Sequence, residues 1–154
     1  MFDRLQATLD NGRPGALSVL RFVAGLCYFE AGTVLILHFP TTAMDGPLPP
    51  ILLAAGYLEL IGGFLVLIGL WTRPAAFILS GQMAIGYLIG HILPTGSLDP
   101  VVNKGGPAIL YCFIFLYLVF AGGGPWWVDA LLGRRWRQSS ASGQPIATPQ
   151  SELK

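Results

Sequence analysis

Four long apolar runs limit the folds open to this chain more than any other feature. They extend from about Ala16 to Leu37, Pro50 to Leu70, Pro74 to Leu93 and Pro107 to about Ala121. A helix crossing the roughly 30 Å hydrocarbon layer of a bilayer needs about 20 mostly apolar residues, a length the first three runs reach. Lipid offers backbone amides no hydrogen-bond partner, so only helices and closed barrels span it. Barrel strands alternate apolar and polar residues, and these runs do not. The expected fold is therefore all-α, a transmembrane four-helix bundle with the lipid bilayer as its first partner. Apolar residues make up 53% of the chain and charged residues 11%, against about 25% charge in an ordinary soluble domain. So little charge excludes a soluble enzyme built around one core. Nine Lys and Arg nearly cancel eight Asp and Glu, so no bulk charge points to nucleic acid.

Turn residues set the limits of the runs. Pro49-Pro50, Pro74 and Pro107 open the second, third and fourth, where a missing backbone N–H costs nothing. Asp45-Gly46-Pro47 and Pro94-Thr95-Gly96 read as turns, and Gly122-Gly123-Gly124-Pro125 stops the last helix. Only Trp71-Thr72-Arg73 joins the second and third runs, which makes them an antiparallel hairpin. The first run is too long for a secretory signal and reads as an uncleaved span. Arg4, Arg13, Arg73, Arg134, Arg135 and Arg137 share the side of the termini and middle loop, whereas Lys104 stands alone on the other. The positive-inside rule then puts both termini in the cytoplasm. Phe2, Leu5 and Leu9 ahead of Asp10-Asn11-Gly12 recur at helical spacing, as do Val128, Leu132 and Trp136 after the fourth run. They predict short interfacial helices at both ends. Residues 1–138 thus form a membrane domain and 139–154, rich in Ser, Gly, Pro and Gln, a disordered tail.

Polar side chains at membrane depth are costly, so each is a candidate site residue. At 1.5 Å per residue, Glu30 and Glu59 lie roughly 12 Å from the outer ends of the first two spans. Gln82 lies slightly deeper, Tyr87 shallower, His91 at the outer mouth and Tyr111 just inside the fourth span. All six occupy the outer half, and converging helix faces would make of them one polar chamber open to the outside. Each also has a structural role open to it. Glu59 suits a carboxyl bonded to a neighbouring helix, Gln82 interhelical glue, His91 a capping group and the tyrosines packing. Arg21, near the inner interface, is expected to snorkel. Cys27 and Cys112 are expected to be free thiols packed as small hydrophobes. Glycines thread the second and third spans, and Gly86-x-x-x-Gly90 predicts close helix approach. Neither a P-loop, a dinucleotide-binding glycine motif nor a metalloprotease motif occurs, and the two histidines lack metal spacing. No metal or evident cofactor is expected.

The run Gly56-Tyr57-Leu58-Glu59-Leu60-Ile61-Gly62-Gly63, followed by Gly69-Leu70-Trp71-Thr72-Arg73-Pro74-Ala75-Ala76, resembles the DoxX family. So do Gly81-Gln82-Met83-Ala84, the segment Tyr87 to His91, Leu110-Tyr111-Cys112-Phe113 and Gly124-Pro125-Trp126. The resemblance covers about residues 17 to 132. It implies a small four-helix protein of the bacterial inner membrane, whose relatives are tied to quinone-linked redox enzymes or to complexes of oxidative-stress defence. The chain also departs from the family. Where relatives often read E-H-G-x-x-K, it has Glu30-Ala31-Gly32-Thr33-Val34-Leu35, and Gln82 and Pro107 replace usual acidic residues. Four polar positions have thereby become neutral. The resemblance implies an accessory subunit of a membrane redox complex with a quinone or other lipid-like ligand. Tyr28, Phe29, Tyr57, Tyr87, Tyr111 and Phe115 are available to line an apolar pocket for it. The alternatives are a small proton-linked transporter using Glu30 and Glu59, or an assembly scaffold. Expected partners are subunits of a redox complex or further copies of the chain.

Overall fold

The structure, a computed structural model, describes residues 2–42, 46–126 and 128. Helix α1 spans Phe2–Gly32 and runs on as a π-helical turn, Thr33–Leu37. Helix α2 spans Pro50–Ile68, α3 spans Thr72–Tyr87 and α4 spans Gly106–Ala121. A second π-helical turn, Leu88–Ile92, and a last α turn, Leu93–Thr95, extend α3. No strand occurs among the described residues. Arg4–Leu37, Pro50–Ile68 and Thr72–Thr95 are long and apolar enough to cross a membrane. The 16 residues of α4 are equally apolar but shorter, reaching about 24 Å at 1.5 Å per residue.

α1 packs along α2 and α3 along α4; α2 and α3 join the two pairs, and α1 meets α4 only lightly. Glycines set the α1–α2 distance. Gly25 and Gly32 on α1 pack on the α2 backbone at Val66 and Leu67 and at Glu59 and Leu60. Gly63 on α2 packs on the α1 backbone at Tyr28 and Phe29, and Gly56 meets the side chains of Leu35 and Ile36, so the glycines of the two antiparallel helices interleave. A Cβ on Gly25 would lie 2.6 Å from the Leu67 amide nitrogen, and one on Gly63 2.6 Å from that of Phe29. Backbone, not side chain, is what such an atom would strike. Gly86-x-x-x-Gly90 does not perform this task. Gly90 faces open space, and the nearest atom to a Cβ on Gly86 belongs to Met83 of the same helix. The spacing was right for close approach, but these positions of α3 are turned away from its neighbours.

Between the pairs lies a core of Ala24, Tyr28, Val66, Ala75, Ala76, Leu79, Phe115 and Leu118. Large apolar side chains also cover the outside, among them Phe22, Ile61, Phe77, Ile85 and Phe113, as lipid contact requires. At the α2–α3 hairpin Gly69 ends α2 with φ +74°, its N–H bonded to the Leu65 and Val66 carbonyls. Leu70 N–H also bonds to Leu65 O, which gives a Schellman-type stop. Thr72 and Arg73 belong to the first turn of α3, so the linker is tighter than expected.

Three further expectations need correction. The N-terminal apolar segment is not a separate interfacial helix: α1 is continuous through Asp10-Asn11-Gly12 and keeps Pro14 inside it. One glycine costs only about 1 kcal/mol in a helix interior, too little to break a helix held by its packed half. Cys27 is exposed rather than packed in the core, and Cys112 is half-buried; both are free thiols. Arg21 does not snorkel. The second expected interfacial helix, apart from Val128, and the tail 139–154 lie outside the described residues.

Arg21 is 3% exposed. Its Nε donates to Gly123 O at 2.9 Å, Nη1 to Val66 O at 2.6 Å and Leu67 O at 2.5 Å, and Nη2 to Trp126 O at 2.7 Å. Two carbonyls from the C-terminal end of α2 and two from the segment that follows α4 thus surround one guanidinium. The C-terminal end of α2 carries partial negative charge there, and the carbonyls of the segment after α4 need donors. A cation from α1 answers both needs and ties α1 to α4 where side-chain packing between them is thin.

Candidate functional site

Glu59 shares the inward stripe of α2 with Gly56, Gly63 and Val66, at i, i−3, i+4 and i+7, all three of which are buried. That spacing keeps the four residues on one helix face. The glycines on either side draw α1 close and exclude water. Gln82 of α3 reaches across to it: Nε2 donates to Glu59 Oε1 at 3.3 Å and to Ala55 O at 3.2 Å. Tyr28 of α1, 3% exposed, lies close enough to Glu59 to interact electrostatically. Its ring meets Phe115 edge-on at 4.8 Å between centroids and Tyr111 at 5.5 Å. Tyr111 stacks on Phe115 at 5.8 Å.

Three atoms of this cluster have no partner among the described residues: Tyr28 Oη, Glu59 Oε2 and Gln82 Oε1, all shielded from solvent. Buried polar atoms are nearly always hydrogen-bonded, so three together call for an explanation. A tyrosine hydroxyl donates one bond and accepts others, an amide oxygen accepts, and a carboxyl oxygen accepts or, with its proton, donates. The cluster can therefore bind a small group that both accepts and donates, with aromatic walls on one side.

The remaining candidates do not all converge here. Glu30 sits on the exposed face of α1, away from the inward stripe. Tyr87 and His91 stand at the C-terminal end of α3 and in the π-helical turn after it, their rings 6.2 Å apart. There Tyr87 Oη donates to Leu98 O at 2.7 Å, and His91 Nδ1 lies 3.0 Å from Asn103 O. Asn103, 4% exposed, organises this end. Its Nδ2 donates to Ser97 O at 2.9 Å and Tyr87 Oη at 3.1 Å, and its Oδ1 accepts from Gly105 N–H at 2.8 Å. The six residues thus divide into a buried cluster of Glu59, Gln82 and Tyr111, a loop staple of Tyr87 and His91, and Glu30 on the exposed face of α1. Sequence reading missed Asn103, whose place before Lys104-Gly105-Gly106 was the only signal. No group of three or more metal-ligating side chains occurs among the described residues.

A model of the DoxX family matches residues 16–92, which carry α1 from Ala16, α2, α3 and the π-helical turn after it. An uncharacterized protein of Haemophilus influenzae is 42% identical over 120 residues, covering 75% of this chain and 90% of the relative. The chain belongs to the DoxX family. No solved structure matches it. The matched region of this DoxX protein holds Tyr28, Glu59 and Gln82 together, whereas Asn103, Tyr111 and Phe115 lie beyond it.

Proposed function

We propose that this DoxX protein binds the polar head of a quinone-like, membrane-dissolved ligand at Tyr28, Glu59 and Gln82. It does so as an accessory, non-catalytic subunit of a redox or oxidative-stress complex in the bacterial inner membrane, with both termini cytoplasmic. The three unpartnered buried atoms carry this reading. A quinone oxygen accepts hydrogen bonds, which Tyr28 Oη–H and a protonated Glu59 supply; the reduced hydroxyl donates, and Gln82 Oε1 accepts. Tyr111 and Phe115 offer the flat apolar wall that a ring needs. A bound quinone supplies electron-carrying capacity that no side chain here has. The chain's own part is to bind, orient and exclude water.

The test uses purified protein in mild detergent and a quinone analogue with a methyl in place of the tail. Saturable binding to wild type, weakened at least tenfold in Glu59→Leu and less in Glu59→Gln, is the expected result. Failure of the analogue to bind wild type overturns the reading.

A further inference from the structure

A groove of about 470 Å³ opens on the outward side of α2 and α3. Leu58, Ile61 and Leu65 form one wall, and Ala75, Ile78 and Leu79 the other. None of its lining side chains is charged, and the Tyr57 hydroxyl is the one polar side-chain group among them. Ile61 and Ile78 are both more than half exposed, so the groove faces the lipid. We infer that this groove seats the hydrocarbon tail of the ligand whose head the buried cluster holds; the inference rests on the function proposed above.

Two observations join groove and cluster. Ala75, Leu79 and Gln82 follow one another at i, i+4 and i+7 on a single stripe of α3. Gln82 is therefore the next side chain outward along the groove wall, and its amide reaches Glu59. On α2, Glu59 directly follows groove residue Leu58 and lies two residues before Ile61. Gly62 contributes no side chain, so the end of Leu79, a groove-lining residue of the buried core, packs directly against α2 there: a Cβ on Gly62 would come 2.6 Å from Leu79 Cδ2. A polar interior site reached through an apolar side opening suits a ligand that arrives from the bilayer, head first, and leaves its tail outside.

The experiment uses the full chain in nanodiscs and a quinone analogue bearing a photoreactive diazirine on the first isoprene unit of its tail. After illumination, adducts are expected on the peptides containing Leu58, Ile61 and Ile78, and excess tail-less analogue should suppress them. Ala54→Phe combined with Ile78→Trp fills the groove from exposed positions, leaves melting temperature unchanged and should reduce the adducts at least fivefold without weakening binding of the tail-less analogue. Adducts spread over the exposed faces of α1 and α4, and insensitive to competitor, would overturn the inference. Adducts that are competed but lie on α1 or α4 would keep the head site and overturn the groove. If the tail-less analogue does not bind at all, the proposed function falls and this inference with it.

Discussion

Replacing Arg21 by Met keeps the length of the aliphatic stem and removes every donor. Hydrogen bonds from a charged group contribute about 1.5–3 kcal/mol each, and Arg21 makes four. The sum overstates the effect, because burying the guanidinium has a desolvation cost and some freed carbonyls at the inner interface rehydrate. Leaving a buried acceptor unsatisfied costs about 1–3 kcal/mol, and with about two of the four carbonyls rehydrated the loss expected for Arg21→Met is about 2–6 kcal/mol. Arg21→Lys keeps the charge, but a compact ammonium cannot span carbonyls from two helices as a planar fork does. A loss of about 1–3 kcal/mol is expected there, one to two bonds' worth. Arg73→Met is the control. Arg73 is exposed and holds Phe120 O at only 3.5 Å, so its loss should stay within about 0.5 kcal/mol. Reversible unfolding in bicelles by added SDS measures all three. If Arg21→Met matches the Arg73 control, the guanidinium does not hold α1, α2 and α4 together, and the account of the inner end is wrong.

Gly63→Val should force α1 from α2 and lower stability by at least about 1–3 kcal/mol, whereas Gly81→Ala, which meets open space, should raise it by up to about 1 kcal/mol; the same SDS titration reads both. Asn103→Ala removes the Ser97, Tyr87 and Gly105 bonds at once. It should cost about 1–3 kcal/mol and speed amide exchange across residues 97–105. Reporter fusions after Lys154 and within the Asp99–Lys104 loop should report opposite sides of the membrane, with the C-terminal one cytoplasmic; the same side for both would refute the topology.

The lengths of the apolar runs, with the prolines and glycines between them, were enough to define four helices and the antiparallel α2–α3 hairpin. Those features depend on local chemistry: backbone amides in lipid must bond within their own segment, and Pro50 or Gly69 acts where it stands. The departures are of another kind. Which glycines meet a neighbour, whether Arg21 points to water or to carbonyls, and whether Glu30 or Glu59 faces inward depend on how each helix is rotated about its axis. In a soluble bundle an apolar stripe reveals that rotation. Here lipid is as apolar as the core, so exposed Ile61 and Phe64 read no differently from buried Val66, and no stripe marks the inside. One residue's step turns a side chain by about 100°, which is sufficient to carry Gly86 and Glu30 off the contact faces and to set Gly25, Gly32, Gly56, Glu59 and Gly63 upon them. Packing of backbone against backbone at those glycines decided the rotation, and with it the buried cluster of Tyr28, Glu59 and Gln82.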